Sequence, residues 1–274
     1  YWLEKSVELI SPLVKLPEKP KTLEKYSFES LRRKVFIGSE IKLEKVIKKD
    51  INYTSYLFSF KSEGKKVTGQ INLPQKTGKL PVVVMLRGYA DDQVYFTGLG
   101  TRKAAGVFAE HGFLTLAPDF LGFGGSDQAS ADILEARFER PVTVLNLLAS
   151  IKNLPQADSQ RVFLWGHSNG GQIALSVLEI SKKSYPATLW APVTKGFPES
   201  VLSYIGELDD QGLKVKRAID DFLAIYEAKK YSVDNYFADI QAPLQLHQGI
   251  ADPLVKVEWS DQFVSKMQKL GKTI

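Results

Sequence analysis

The residues in this chain whose types and spacing could do chemistry lie between Gly166 and Gly170, where the sequence reads Gly-His-Ser-Asn-Gly. A serine hydroxyl held at the tip of a sharp turn can attack an acyl carbon, provided that a base removes its proton. Glycines on both sides, with a third at Gly171, would permit a strained turn and let a strand and a helix pack closely around it. The pattern predicts a nucleophile at Ser168, but five residues alone also occur by chance, so the flanking elements must support it.

The flanking sequence supplies the strand and the helix that such a turn requires. Residues Val162–Trp165 form a short apolar run, as expected of a buried parallel strand. Apolar residues then recur at helical spacing over Gln172–Ile180. We therefore expect a strand-turn-helix unit that raises the Ser168 hydroxyl at the carboxyl end of the strand.

With these elements the chain resembles the α/β-hydrolase superfamily, and within it the prolyl oligopeptidase-like and dienelactone hydrolase-like serine esterases. The likeness extends from about Leu31 onward. It implies an α/β-hydrolase fold: a mostly parallel central sheet with antiparallel N-terminal strands, helices on both faces and a helical lid insertion. It also implies a serine nucleophile that works with a histidine base and an acid in the chain order serine, acid, histidine.

A second loop carries the resemblance further. Pro81–Leu86 is a continuous apolar run and predicts a central strand covered on both faces. Arg87, Gly88 and Tyr89 follow it and resemble the family's His-Gly-aromatic loop, with Arg87 in place of the histidine. The resemblance implies that the N–H groups of Tyr89 and Asn169 hold the oxyanion, with Gly88 aiming the first of them. A tight turn without a catalytic role is the alternative.

A third segment supplies a candidate acid. Gly249–Val255 resembles the family's Gly-x-x-Asp-x-x-Val turn, which implies that Asp252, 84 residues after Ser168, is the acid of the triad. The alternative is an aspartate that only caps a turn, because Asp before Pro is a common turn signal.

None of the three histidines stands where the resemblance places the base. His167 is adjacent to Ser168 in the chain, and we expect its side chain to point away from the serine hydroxyl. His111 is expected at the end of a helix, and His247 inside a central strand as a core histidine. We therefore expect the natural protein to be longer, with a last strand and a histidine loop beyond Ile274.

Composition excludes several other functions. The 274 residues are 44% hydrophobic and 24% charged, with no apolar run long enough to span a bilayer. The net charge of +5 is spread along the chain, which does not indicate nucleic-acid binding. There are no cysteines, so neither disulfides nor thiolate metal sites are possible. The glycine-rich segment 118–127 resembles the Asp-x-x-Gly-x-Gly-x-Ser loop of the hydrolases and matches no phosphate-binding motif. The resemblance implies no metal and no organic cofactor.

The rest of the chain divides into an arm and one domain. Residues 1–30 hold prolines among many lysines and predict an N-terminal arm or linker, and 31–274 form the hydrolase domain. Alternation within Val35–Leu73 predicts two or three antiparallel strands. Residues of about 192–239 break the strand-helix rhythm and predict the helical lid. The other predicted elements are helices over Thr101–His111, Ala131–Ile151, Pro198–Ile205, Gly212–Tyr226 and Val257–Leu270, and strands over Phe113–Ala117, Tyr185–Trp190 and Pro243–Gln248.

The sequence predicts a serine hydrolase that cleaves a small carboxylic ester through an acyl-enzyme. A prolyl oligopeptidase-type peptidase acting on short peptides is one alternative, although only about 80 residues precede the central strand, too few for a gating β-propeller. A catalytically silent scaffold with a binding role is another. Because the chain begins at Tyr1 without an initiator Met, we expect a secreted or surface-anchored protein, with a possible membrane tether upstream. A cytoplasmic location is the alternative. The sequence does not predict the oligomeric state.

Overall fold

A computed structural model of the protein describes residues 21–207 and 210–274. Its strands are β1 Lys42–Lys49, β2 Tyr53–Ser62, β3 Lys65–Pro74, β4 Leu80–Leu86, β5 Leu114–Pro118, β6 Ala157–His167, β7 Ala187–Trp190 and β8 Leu244–His247. They form one sheet in the order β1-β2-β3-β5-β4-β6-β7-β8. The first three strands are antiparallel, β3 runs antiparallel to β5, and the remaining pairs are parallel. The α/β-hydrolase fold class is confirmed.

Helices cover both faces of this sheet. They are α1 Phe28–Arg33, α2 Arg102–Glu110, α3 Ile133–Ser150, α4 Asn169–Ser181, α5 Glu199–Leu202, α6 Leu213–Leu223 and α7 Val257–Lys269. Strand β4 shows why its sequence is continuously apolar: Val82 and Val84 pack into the core under α3 and α4, while Val83 and Met85 pack against α2. In the described ranges, no helix is long and apolar enough to cross a membrane.

The predicted N-terminal arm, 1–30, is wrong for its last ten residues. Residues 1–20 lie outside the described part of the chain, but 21–30 belong to the domain: a 3₁₀ turn over Thr22–Tyr26 leads into α1. Arg32 of α1 donates hydrogen bonds to the Glu179 carbonyl and so ties this segment to α4. The physical reason is a set of buried apolar side chains, which outweighs the local excess of lysine: Leu23, Tyr26, Phe28 and Leu31.

The predicted insertion lies between β7 and β8 and is helical. It contains α5, α6 and 3₁₀ turns over Ile205–Glu207, Ala228–Tyr231, Val233–Asn235 and Phe237–Asp239. Three aromatic rings of the insertion pack against Phe138 of α3. Their centroids lie 5.5 Å (Phe197), 5.8 Å (Phe222) and 5.2 Å (Tyr231) from that of Phe138. These aromatic side chains are buried, as expected of a lid core.

Candidate active site

Ser168 occupies the single residue between β6 and α4. Its backbone has φ 54° and ψ −121°, a conformation that non-glycine residues adopt only when their surroundings enforce it. Four hydrogen bonds do so: the Ser168 N–H donates to the Trp190 carbonyl at 2.9 Å, and the Ser168 carbonyl accepts from the N–H groups of Gly171 at 3.0 Å, Val193 at 3.1 Å and Gln172 at 3.4 Å. The serine is half-buried at the carboxyl edge of the sheet, with its backbone fixed from two sides.

The sequence motif predicts that the neighbouring glycines permit a strained turn. In the structure they leave space for close packing, and their own backbone is not strained. A Cβ at Gly166 would lie 2.7 Å from the Gly170 carbonyl oxygen, and one at Gly170 would lie 2.0 Å from the Leu86 carbonyl oxygen. A Cβ at Gly171 would lie 2.6 Å from the Pro192 side chain. None of the three has a positive φ. The strained residue is Ser168 itself, and the glycines let α4 approach β4 and β6.

The loop after β4 passes directly beside the serine. A Cβ at Gly88 would lie 3.1 Å from the Ser168 Cβ and 3.3 Å from Nδ1 of His167. Among the described residues, no acceptor takes the Tyr89 N–H. The Asn169 N–H is the first of α4, so it has no partner within the helix. The structure thus brings together the two loops that carry the predicted oxyanion donors.

Arg87 holds this loop from below, a role that the sequence did not reveal. Its guanidinium donates hydrogen bonds to the carbonyls of Gly88, at 2.9 Å, and Asp119, at 3.1 Å. Burial lowers the pKa of Arg87, which still leaves an arginine protonated at neutral pH. The same guanidinium lies over three aromatic rings, at 4.6 Å from Tyr95, 5.6 Å from Phe120 and 4.2 Å from Phe123.

Asp119, at the end of β5, connects the loops around Arg87. Its side chain is fully buried and accepts hydrogen bonds from the hydroxyls of Thr68 at 2.6 Å, Thr97 at 2.9 Å and Tyr95 at 2.6 Å. Burial raises the pKa of Asp119, and the three hydroxyls act in the opposite direction. Since Thr68 lies in β3 and Tyr95 in the loop after β4, one carboxyl group fixes three separate chain segments beneath the site.

Asp252 lies in the loop that follows β8. Its Oδ1 accepts from the N–H groups of Leu254 and Val255, both at 2.9 Å, so it does cap the turn. These hydrogen bonds, led by that of Val255, lower the pKa of Asp252 and keep it ionised. Its charge also acts on His167, whose pKa it raises, but burial of that imidazole is the larger effect and lowers the pKa overall. Asp252 and His167 are therefore close enough for their charges to interact.

The other two histidines lie away from the serine. His111 follows α2 at the amino end of β5, the opposite edge of the sheet, and its Nδ1 is 2.8 Å from the Val107 carbonyl oxygen, as expected of a helix end. His247 is not the core histidine that the sequence predicts: β8 is the last strand in the described strand order, and the ring is half-buried and stacks on Trp190 at 4.1 Å. All three histidines lie in the described residues, and none hydrogen-bonds to Ser168 or Asp252. The described ranges also hold no cluster of three or more metal-ligating side chains.

Comparison with known proteins agrees with this geometry. The family described as Chlorophyllase matches residues 46–188, a little more than half of the chain. That segment runs from β1 to the beginning of β7 and includes Ser168, Gly88 and Asp119. No curated protein matches the chain significantly.

Solved structures share the fold. The acylaminoacyl peptidase of Pyrococcus horikoshii superposes with a TM-score of 0.60 and 21% identity, over 81% of this chain and 36% of that one. An acetyl xylan esterase from Paenibacillus sp. R4 gives 0.58 and 14%, over 90% and 92%. A dienelactone hydrolase-like promiscuous phosphotriesterase from metagenomic libraries gives 0.51 and 15%, over 81% and 79%. The chain thus spans about a third of the length of the peptidase.

Proposed function

Because this chain belongs to the chlorophyllase family and has the α/β-hydrolase fold, we propose that it is a serine hydrolase that cleaves carboxylic esters through an acyl-enzyme. The observation that carries the proposal is the backbone of Ser168, held at φ 54° between β6 and α4 with Gly88 beside it. A fold that retains a strained non-glycine residue at this place keeps its hydroxyl in one position, as a nucleophile requires.

The proposed reaction has two halves. Ser168 Oγ attacks the acyl carbon while a base takes its proton, and the N–H groups of Tyr89 and Asn169 stabilise the negative oxygen of the tetrahedral intermediate. The intermediate collapses, the alcohol leaves with the proton from the base, and the acyl group stays on Ser168. Water then repeats the attack, with the same base, and releases the carboxylic acid. Each half balances without a metal or an organic cofactor.

The base is the unassigned part of this reaction. We infer that it is a histidine outside these 274 residues, oriented by Asp252. His111 lies at the wrong edge of the sheet, and His247 is stacked on Trp190. His167 lies close to the serine, because a Cβ at Gly88 would meet both Ser168 Cβ and His167 Nδ1, but in the described residues its ring hydrogen-bonds to neither Ser168 nor Asp252.

The test compares two lengths of the protein. Loss of a triad histidine typically costs on the order of 10⁴- to 10⁶-fold in turnover. The 274-residue chain should therefore hydrolyse 4-nitrophenyl butyrate about 10⁴- to 10⁶-fold more slowly than a chain extended with its natural downstream residues. Ser168→Ala in the extended chain should abolish turnover while circular dichroism stays unchanged.

Two results would contradict parts of this proposal. Substantial turnover by the 274-residue chain that disappears in His167→Ala would make His167 the base. A folded extended chain that cleaves neither short nor long acyl esters would refute the esterase assignment. Cleavage of a peptide amide in its place would favour a peptidase, and no cleavage of either would favour a silent scaffold. The observation in favour of the scaffold is that no histidine side chain hydrogen-bonds to Ser168 or Asp252 in the described residues.

A further inference from the structure

A small cavity lies beside the first turn of α4, under the helical insertion. Its volume is about 40 Å³, enough for a group of a few atoms and too little for a whole substrate. Its polar lining comes from Asn169, Gln172 and Ser176 of α4 and from Arg137 and Arg140 of α3, and most of the remaining wall is aromatic or aliphatic. Asn169 is also a proposed oxyanion donor, so the cavity begins next to the nucleophile.

Neither arginine has an acidic partner among residues 21–207 and 210–274. They are one helical turn apart on α3, and both are half-buried. Arg137 donates hydrogen bonds to neutral groups only, the amide oxygen of Gln172 and the hydroxyl of Ser200 at 3.4 Å. In the part of the chain that the structure describes, Arg140 makes no hydrogen bond and no ion pair. The acidic residues of the same helix are engaged elsewhere, since Glu135 pairs with Lys25 and Glu139 with Lys65.

The electrostatics at this point are unfavourable without an anion. Burial lowers the pKa of Arg137 to about 10, and burial together with repulsion from Arg137 and Arg87 lowers that of Arg140 to about 10. Both side chains therefore stay charged at neutral pH. Confined like charges without counter-ions are costly, and a bound carboxylate would offset that cost.

We propose that Arg137 and Arg140 form a subsite for a carboxylate of the substrate, so that the preferred esters carry a second, anionic group. The cavity is lined by Asn169, whose N–H is one of the two proposed oxyanion donors. A carboxylate held there sits beside an ester carbonyl at Ser168. Arginine suits this role because its planar fork can bind both carboxylate oxygens. The link to ester cleavage rests on the proposed function, whereas anion binding by the cavity does not.

The test measures binding to the 274-residue chain, which needs no turnover. Monomethyl glutarate carries one ester and one carboxylate, and dimethyl glutarate is its neutral analogue. In calorimetric titrations we expect the monoanion to bind more tightly than the diester. Arg140→Gln should weaken binding of the monoanion about 10- to 100-fold, the usual effect of losing a charge-assisted hydrogen bond. Arg217→Gln, the same change at an exposed position of α6, should leave binding unchanged.

Several outcomes would overturn the subsite. They are equal binding of the two glutarates, unchanged binding in Arg140→Gln, and binding of inorganic phosphate without the carboxylate. If Arg140→Gln does not fold, Arg140→Lys keeps the charge but loses the fork, and unchanged binding there would also overturn the proposal. The two proposals fail separately. If monomethyl glutarate binds through Arg140 but the extended chain hydrolyses no ester, only the proposed esterase activity is refuted. If the extended chain hydrolyses esters without preferring the anionic one, only the proposed carboxylate subsite is refuted.

Discussion

Gly170→Ala should destabilise the protein, although alanine is the better helix former. Gly170 is the second residue of α4, and a Cβ there would lie 2.0 Å from the carbonyl oxygen of Leu86 and 2.5 Å from that of Arg87. Both neighbours are backbone atoms at the end of β4, so they cannot turn aside as a flexible side chain could. Either α4 or the loop that carries Gly88 has to move.

The expected size of the effect follows from two opposing contributions. Alanine in place of glycine inside a helix stabilises by about 1 kcal/mol. Overpacking of a tight site costs about 1–3 kcal/mol, and backbone contacts place this substitution at the upper end. The net loss in the free energy of unfolding should be about 1–2 kcal/mol, which lowers the Tm of a protein of this size by roughly 2–8 °C.

Urea denaturation followed by circular dichroism measures this loss, and Gly206→Ala is the matched control. Gly206 lies in a 3₁₀ turn of the helical insertion, and a Cβ there meets no atom within 4 Å of it. We expect that variant to keep the stability of the parent protein. In the extended chain, Gly170→Ala should also slow ester hydrolysis, because the oxyanion loop is displaced. A Gly170→Ala protein that is as stable as Gly206→Ala would refute the clearance role assigned to this glycine.

Three further predictions concern Ser168, Glu179 and Arg87. Ser168→Gly should be more stable than Ser168→Ala by on the order of 1 kcal/mol, because only glycine adopts φ 54°, ψ −121° without strain. Urea denaturation measures the difference, and equal midpoints for the two variants would show that the backbone is not strained. Burial raises the pKa of Glu179 well above 4.5, and neither carboxylate oxygen has a hydrogen-bond partner among the described residues. The folded protein therefore binds this proton more tightly than the unfolded chain does. Its stability should fall as pH rises from about 4.5 toward the raised pKa. Glu179→Gln should therefore stabilise the protein at about pH 8 and flatten its pH profile of unfolding, whereas Glu110→Gln, at an exposed site, should leave the slope intact. Arg87→Lys in the extended chain should lower kcat for an aryl ester more than it changes KM, because lysine cannot reproduce the bonds to Gly88 and Asp119; a change in KM alone would argue against a positioning role.

Elements with a periodic pattern could be predicted from the sequence. The apolar run before Ser168 and the helical spacing after it identify β6 and α4, and the loop after β4 follows from its family motif. Residues 21–30 also carried a usable signal, since Leu23, Tyr26 and Phe28 are apolar and closely spaced, but the nearby lysines concealed it. The place of β8 in the strand order could not be predicted, because a short apolar strand has the same sequence whether one neighbour pairs with it or two.

The supports of the site left no such signal. Asp119 accepts from Thr68, 51 positions earlier in the chain, and from Tyr95, 24 positions earlier. Hydroxyl residues are common on any surface, and nothing in their spacing shows that they converge on one buried carboxyl group. Arg87 stood out only as a departure from the family motif. Its function depends on three aromatic rings that the fold brings together.

The glycines of the elbow show most clearly what a motif leaves open. Glycines in a Gly-x-Ser-x-Gly motif can be required for two different physical reasons. Either the backbone adopts a conformation open only to glycine, or a neighbouring chain segment lies too close for a Cβ. Here the positive φ falls on Ser168, the one position that cannot be glycine if its hydroxyl is the proposed nucleophile. Its strain must therefore be offset by contacts elsewhere, and those contacts require α4 to lie almost against the carbonyl oxygen of Leu86. The close approach of α4 at Gly170 is thus needed to hold Ser168 in its strained conformation, which is why a methyl group at Gly170 should also displace Ser168.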